Sequence, residues 1–477
     1  MAGRNKKSVG VVAGFVLSAG VLFAAGTSFA ASGADADAFS YQLSWRAGDK
    51  DVNGKAMYGS ELMRILPYKG KLYAATSLWT ESDPSIPKAC QLLVLDSPDA
   101  KWKLLHQFSA RNLRLTCLQN VVFTTDGGGK KIEPVEMLLA APDQMRGGAV
   151  EVYSLDDGSN TLSAMKLGAG GGKYSSIRAI GLHHDSDTGI DCVFAGSTAL
   201  GLYRGVYDAK AAGRIIWQES EYAVNDEASS SESERVMGFA DCNGVLYAAT
   251  SKRILRRTDG SSPVWAVVKE YPNESIASGI RGLTAVPNPA GCGQVLLYNC
   301  RGGDKQTCVR RLDPSNNYAE TAELNINADM SRRLGTKIPY VLSAYNDFLS
   351  YTVPGMGEKV WMFGIETSLT ALEIQKHPEW QFMKVESKYQ RGSSGRDAYY
   401  VAEGRYYIRH VSASGGISYE LKEITDPALP TLVSVRTIAV SPFPSDQGKV
   451  LYFGGYDPNS QPSHNTAWIY KGTAPER

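Results

Sequence analysis

The residues best suited to chemistry are six arginines, each of which opens a similar apolar stretch. These stretches read RILPY, RLTCL, RAIGL, RVMGF, RGLTA and RTIAV, while a seventh, YVLSA, begins with a tyrosine. A guanidinium group presents a planar set of donors that can bind carboxylate, sulfate or phosphate through two hydrogen bonds. The pattern predicts a ligand-binding set for an anion, composed of Arg64, Arg114, Arg178, Arg235, Arg281, Tyr340 and Arg436.

A structural role for the same arginines is the alternative. A residue that recurs in a repeat protein often serves the packing of the repeat itself. Glu61, Glu234 and several turn aspartates are available as partners. The two interpretations differ in one feature: a binding set would converge on unpaired space, whereas structural arginines would each be bonded to a neighbouring carboxylate or carbonyl.

A second candidate is the stretch DKDVNG, in which Asp49, Asp51 and Asn53 alternate before Gly54. Alternating oxygen ligands followed by a glycine form the opening half of a calcium loop. An EF-hand would then need Glu at position 60, where Ser60 stands, and Glu61 comes one position late. The sequence leaves open a calcium site of another kind, with calcium as the cofactor, and an ordinary solvated turn.

The usual catalytic motifs are not evident, and catalytic residues cannot be assigned. The stretch HHDSDTG (183–189) places adjacent histidines on opposite faces of a strand, which argues against joint metal ligation. We find no credible Ser-His-Asp arrangement, no HExxH and no phosphate-binding glycine loop.

The elements that carry the arginines repeat along the chain. The six residues LYAATS occur at 72–77 and again at 246–251. Each arginine stretch alternates in polarity with period two, which predicts a strand, and a second apolar strand follows it. A third strand ends at Asp, and a fourth often carries Trp. The aspartates are Asp96, Asp156, Asp208, Asp259 and Asp313, and the tryptophans are Trp102, Trp217 and Trp265.

Four strands in each unit of about 50 to 60 residues predict an all-β fold, a β-propeller. The starts predict seven blades, or eight if the long sixth unit, with an insertion over about 366–395, is divided. The stretch YQLSWR near the N-terminus is predicted to complete the last blade as its outer strand, with Trp45 in the place of the blade tryptophan. Residues 31–477 would then form one propeller domain.

The N-terminus predicts export. Three basic residues, an apolar run from Val9 to Ala25 and small residues ending in SFA indicate a signal peptide over residues 1–30. The protein is therefore expected to be secreted or periplasmic, with no membrane span after signal removal. With 50 basic and 49 acidic residues, the charge is nearly balanced, which speaks against nucleic-acid binding.

Seven cysteines in an exported chain permit disulfides. Cys300 and Cys308 could face each other across a hairpin, with Cys292 competing for the same partner. The pairs Cys90 with Cys117 and Cys192 with Cys242 are further guesses. Structural or buried thiols are the alternative.

The turn aspartate followed by tryptophan, as in TDGSSPVW (258–265) and LDSPDAKW (95–102), resembles the Asp-box propellers, which include sialidases and many binding proteins. LMRILP (62–67) resembles the arginine-containing motif at the start of sialidases. The resemblance implies a propeller but no reaction, since the Asp-box turn lies away from the active site.

Two functions follow as expectations. The first is a secreted binding module for an anionic or carbohydrate ligand at the channel mouth, or for an extracellular protein. The alternative is a glycan-active enzyme, either a sialidase-like hydrolase or a polysaccharide lyase, since both can use arginine to bind a sugar carboxylate.

Overall fold

The computed structural model describes residues 39–477, except 79–88, 145–149, 168–175, 199–200, 225–233, 273, 275–278, 302–304, 356, 378–381, 386–397, 402–403, 425–431, 457–464 and 476–477. The predicted signal peptide lies outside the described residues. The described residues, from position 39 onward, belong to one compact unit.

The described residues form seven blades of antiparallel strands, which confirms the predicted all-β, seven-bladed propeller. The chain begins with β1 (Ser40–Arg46) and then builds four blades in succession. The strands of these blades are β2 (Glu61–Tyr68), β3 (Lys71–Ser77), β4 (Gln91–Leu95) and β5 (Lys103–Gln107); β6 (Asn112–Thr125), β7 (Lys131–Gln144), β8 (Val150–Asp156) and β9 (Thr161–Leu167); β10 (Ile177–Asp185), β11 (Ile190–Ser197), β12 (Gly201–Tyr207) and β13 (Ile215–Tyr222); and β14 (Val236–Cys242), β15 (Val245–Thr250), β16 (Arg253–Thr258) and β17 (Val264–Glu270).

The last three blades include the one irregular unit. The fifth contains β18 (Arg281–Pro287), β19 (Gln294–Cys300), β20 (Cys308–Asp313) and β21 (Ala319–Asn325), followed by helix α1 (Ile326–Leu334). The sixth contains β22 (Tyr340–Ser343), β23 (Leu349–Thr352), β24 (Lys359–Leu369), helix α2 (Ala371–Gln375), β25 (Phe382–Val385), β26 (Ala398–Val401), β27 (Gly404–Val411) and β28 (Ile417–Ile424). The seventh contains β29 (Ser434–Val440), β30 (Val450–Tyr456) and β31 (Ala467–Thr473).

The chain closes the ring by placing β1 beside β31, as predicted. The two strands are antiparallel from Ser40 opposite Thr473 to Arg46 opposite Trp468, and they complete a four-stranded sheet with β30 and β29. Trp45 is 2% exposed in the core of this junction. Pairing the two ends of the chain removes a strand edge that would otherwise be exposed.

The two copies of LYAATS are the second strands of the first and fourth blades. In both, a bulge interrupts the pairing with the first strand at the same place: Met63 bulges beside Thr76, and Met237 bulges beside Thr250. These strands are buried because neighbouring blades cover both of their faces, so identical small and aromatic residues fit both sites. The LYAATS sequence therefore recurs because the second strands of these two blades pack in the same way.

The turn aspartates act largely as predicted. Asp156, Asp208 and Asp313 each accept a backbone N–H from two residues ahead, at 2.7–2.9 Å. Asp96 instead binds Lys71 and Lys103, and Asp259 reaches the neighbouring blade. The described geometry thus explains the recurring aspartate as a turn former in three blades.

The sixth blade divides its first strand in two. Both β22 and β23 pair with the long β24, and residues 344–348 leave the sheet between them. Farther along the chain, β25 and β26 extend the same sheet beyond β24; β25 falls within the predicted insertion at about 366–395, and β26 follows it. We call residues 344–348 the channel loop.

The predicted disulfides are absent, since all seven thiols are free. Cys300 and Cys308 do lie opposite each other on β19 and β20, as expected for a hairpin. Cys90 and Cys117 pack into different parts of the core, and so do Cys192 and Cys242. Across the described residues, no helix has the length and apolar character needed to cross a bilayer.

Candidate functional site

The first strands of neighbouring blades pack side by side, and they bring five of the six predicted arginines, all but Arg64, into one cluster. The arginines are not at equivalent positions, however. Arg178 and Arg436 are themselves the bulged residues of their strands. Arg64 follows the corresponding bulge in the first blade, whereas Arg235 precedes it in the fourth. Single-residue bulges redirect side chains, so the arginine side chains lie at several heights along the channel.

The channel loop crosses to three other blades. Asn346 donates from Nδ2 to the carbonyl of Met63 at 2.7 Å and to that of Arg436 at 3.3 Å. The backbone N–H of Phe348 donates to Thr284 Oγ1 at 3.2 Å. These contacts fix the loop against the first, seventh and fifth blades, so the side chain between them is held in place.

That side chain is Tyr345, which lies among the arginines. Nη1 of Arg178 donates to its phenolic oxygen at 3.2 Å. The guanidinium carbons of Arg281 and Arg436 each lie 4.4 Å from the centre of its ring. Tyr345 remains partly exposed to solvent. Three cations therefore surround the side chain of one partly exposed tyrosine.

The approach of the loop depends on a glycine in the fifth blade. Gly282 has a φ of +68°, and a Cβ there would lie 2.7 Å from Cβ of Ala344 and 2.9 Å from the ring of Phe348. Ala344 itself has a φ of +41°, an unfavourable conformation for a residue with a side chain. Local strain directly before Tyr345 is typical of a positioned functional residue.

Three buried carboxylates complete the cluster. Glu366 and Glu61 lie 2.9 Å and 3.4 Å from Nη2 of Arg436. Asp143 is the strand partner of Arg114 and is 4% exposed. Burial raises the pKa of Asp143, although Arg114, Arg178 and Arg235 oppose that rise.

Positive charge exceeds negative charge in this cluster. Five guanidinium groups, those of Arg114, Arg178, Arg235, Arg281 and Arg436, face three carboxylates among the described residues. Repulsion from Arg178, together with burial, lowers the pKa of Arg235 to about 9. Burial tends to raise the pKa of Tyr345, but Arg178, Arg281 and Arg436 lower it from 10.0 to about 8. We call this group of residues the arginine mouth.

Buried polar atoms without a hydrogen bond gather near the same strand ends. Within the described part of the chain, several such atoms lie near the start of a first strand, near the end of a second strand or, for Ser343, at the end of β22. They are Glu61 Oε2, Ser77 Oγ, Arg114 Nε, Arg178 Nε, Ser197 Oγ, both amide atoms of Asn299, Ser343 Oγ, Ser434 Oγ and Arg436 Nε. Native proteins leave few such atoms unpaired unless a water, ion or ligand satisfies them.

Arg64 has a carboxylate partner of its own. Its guanidinium forms an ion pair with Asp347 of the channel loop at 2.7 Å. The two line a cavity of about 80 Å³ together with Arg178, Gln119 and Asn346. Arg64 is thus paired within the fold, as the structural interpretation expects.

The structure places the remaining predicted ligand-binding residue beside the mouth. Tyr340 begins β22 and stacks under Arg301, whose guanidinium lies 5.2 Å from its ring. The phenol that contacts the arginines is Tyr345, which sequence reasoning missed. Its signal was available: the stretch YVLSAYNDFLSYT contains two strand-like pieces separated by five residues, whereas the other units have one unbroken strand.

The proposed calcium residues serve the backbone of a turn. Asp51 Oδ1 accepts the N–H groups of Asn53 and Lys55 at 2.8 Å, and Asp49 accepts that of Arg46 at 3.3 Å. Burial tends to raise the pKa of Asp51, but the backbone hydrogen bonds that Asp51 accepts, of which that from Lys55 contributes most, lower it. No cluster of three or more His, Cys, Asp or Glu residues suited to a metal occurs in the described ranges, so calcium finds no support there.

No protein-family profile and no curated protein matches the sequence. Among solved structures, the chain is similar to the Penicillium chrysogenum α-L-arabinanase complexed with arabinobiose. The two share 13% sequence identity with a TM-score of 0.43, over 91% of this chain and 98% of the arabinanase.

Proposed function

We propose that the arginine mouth binds the carboxylate of an acidic sugar and that the protein is glycan-active. The observation that carries the proposal is the surplus of guanidinium groups around the partly exposed side chain of Tyr345. Arg114 and Arg235 have no hydrogen-bonded carboxylate among the described residues, so they are free to bind one from a ligand. A guanidinium pair binds a carboxylate strongly when it is partly removed from water.

The unpaired hydroxyl and amide atoms support a sugar over a simple anion. Ser77, Ser197, Ser343, Ser434 and Asn299 offer both donors and acceptors at the same strand ends as the arginines. Sugar hydroxyls are both donors and acceptors, so they can satisfy these atoms, whereas sulfate only accepts. A site with several cations and many neutral polar atoms matches an acidic glycan.

The signal-like N-terminus supports a location outside the cytoplasm, secreted or periplasmic. Acidic polysaccharides of cell surfaces and of the surrounding medium would be accessible there. This placement is consistent with binding a polymer at an exposed channel end.

A second function, catalysis on the bound glycan, is favoured by Tyr345. A phenol with a pKa near 8 ionises readily at neutral to mildly alkaline pH and can act as a base or a nucleophile. A pure binding site has no need of such a group. The enzyme interpretation includes both hydrolysis and elimination.

Thermal denaturation with a set of defined glycans tests the binding. A ligand that binds only the folded state raises Tm. At a ligand concentration of one hundred times Kd, the free energy of unfolding increases by about 2.7 kcal/mol. We expect polygalacturonate, alginate or hyaluronate to raise Tm, and neutral arabinan and carboxyl-reduced polygalacturonate to have no effect. No shift with any acidic glycan would overturn the proposal.

Two variants localise the effect. Arg235→Gln removes a guanidinium that has no carboxylate partner among the described residues, and it should abolish most of the Tm shift. Arg332→Gln is the matched control, because Arg332 lies on the surface of α1 with its side chain 71% exposed and pairs with Asp329. Equal loss in both variants would show that the glycans bind by general charge attraction.

A further inference from the structure

We propose that the arginine mouth is the active site of a lyase that cleaves 4-linked uronates by β-elimination, with Tyr345 as the catalytic base. The inference rests on the proposed function, since it concerns the same acidic sugar. It adds the reaction and the residue that performs it.

The position of Tyr345 fits proton removal next to a carboxylate. In a uronate, C5 carries the carboxyl group, and its proton becomes acidic only when the carboxylate charge is neutralised. Arg178 contacts the phenolic oxygen directly, and Arg281 and Arg436 face the ring of the same tyrosine. A carboxylate bound by arginines at this distance brings its neighbouring C–H close to the phenol.

The balance of charge distinguishes elimination from hydrolysis. Glycoside hydrolysis passes through a transition state with positive charge on the sugar ring. The surplus of guanidinium groups in the arginine mouth would destabilise such a state. Elimination instead develops negative charge on the carboxylate as the C5 proton leaves, and prearranged cations stabilise it. The same surplus therefore favours one reaction and opposes the other.

The steps balance without a further reactant. The Tyr345 phenolate takes the C5 proton, and the electron pair of the C–H bond forms a C4–C5 double bond. The C4–O glycosidic bond breaks, and the departing oxygen takes a proton from the Tyr345 phenol. The base is regenerated, and the products are one sugar with a free hydroxyl and one unsaturated uronate. No water is consumed.

The product provides a direct assay, because a double bond conjugated with a carboxylate absorbs ultraviolet light. The experiment incubates the full exported chain with the acidic glycan that gives the largest Tm shift. We expect ultraviolet absorbance and new reducing ends to appear together in equal amounts. Tyr345→Phe should reduce the rate at least a hundredfold while keeping the Tm shift, since phenylalanine retains the ring but lacks the proton-transfer group.

The matched control is Tyr351→Phe in the next strand of the same blade. Its hydroxyl donates to the carbonyl of Gly448 at 3.0 Å, away from the arginines, so activity should be retained. Reducing ends without ultraviolet absorbance would overturn elimination in favour of hydrolysis. A glycan that binds but is not cleaved would overturn the lyase proposal and leave binding intact, whereas no binding would remove both.

Discussion

The phenolic oxygen of Tyr345 lies 3.2 Å from Nη1 of Arg178, although the two residues are 167 positions apart in the chain. Tyr345 comes from the sixth blade and Arg178 from the third, so their contact spans the channel. Neither residue could reach the other if the channel loop followed the strand path of the other blades. This contact defines the arginine mouth, and its electrostatic consequences can be measured.

Tyr345 is expected to ionise at a lower pH than the described tyrosines whose pKa is raised. Among the described tyrosines with a shifted pKa, Tyr345 alone has a lowered value, of about 8, because its arginines overcome the effect of burial. Ultraviolet difference spectra between pH 7 and 9 should show about one tyrosinate. Tyr345→Phe should remove that signal.

The ionisation of Tyr345 also sets the expected pH dependence of activity. The base form increases as pH rises through about 8, so the rate should rise with pH and level off above that value. The pKa of Tyr345 is lower in the folded protein than in the unfolded chain, so its ionisation stabilises the fold. This contribution is fully present above pH 10.0 and is lost as pH falls through about 8. A rate that falls over this interval would contradict the role of Tyr345 as a base.

Arg235 is expected to destabilise the folded protein while contributing to ligand binding. Repulsion from Arg178 and burial lower its pKa to about 9, which shows that its charge is unfavourable in the unliganded protein. We expect Arg235→Gln to raise the free energy of unfolding by about 1 kcal/mol and to weaken acidic-glycan binding. Denaturant unfolding measures the first effect and titration the second. A destabilised variant would indicate that Arg235 is structural.

Protonated His183 should link the third and fourth blades through ion pairs. Its buried ring bonds Asp241 at 2.7 Å and Asp259 at 2.9 Å, and Asp259 also pairs with Arg257. Although burial lowers the pKa of His183, its two carboxylate partners raise it above 6.5. The resulting stability is fully present below pH 6.5 and is lost as pH rises through the folded value.

The test compares wild type and His183→Gln by denaturant unfolding from pH 5 to pH 9. We expect a loss of about 2 kcal/mol at pH 5, because charged hydrogen bonds are removed from a buried position. The difference should shrink as pH rises. A constant difference across the range would mean that the protonation of His183 does not contribute.

Closure of the ring should depend on Trp45 and the strand that carries it. Trp45 is 2% exposed, and β1 forms the outer edge of the seventh blade. Trp45→Ala should lower the free energy of unfolding by about 3–5 kcal/mol, as for other buried aromatic side chains. Val264→Ala, at a position 60% exposed on the outer strand of the fourth blade, should have little effect. Similar losses in both would argue against β1 as the closing element.

The sequence was sufficient for the architecture because strand signals are local. Alternating polarity, turn aspartates and the LYAATS copies each depend on residues within one blade, and the blades repeat. Even the pairing of β1 with β31 was predictable, since the last unit lacked one strand and the N-terminus supplied it.

The candidate site was only partly predictable. Arg178, Arg281 and Arg436 were correctly placed at the starts of their blades, but the bulges that set the direction of each side chain depend on pairing with second strands. Arg64 was grouped with them, although one residue of register carries it to Asp347 instead. A one-residue shift reverses the direction of a side chain on a strand.

The sequence by itself determined a ring of β-sheets rich in arginine at its inner strands. The tertiary structure alone decided that Tyr345 would stand among those arginines, because the channel loop leaves its sheet to bond with Met63, Thr284 and the backbone of Arg436. Contacts between distant blades leave no periodic trace in the chain. The acidity of the phenol arises from charges that only folding brings within a few ångströms.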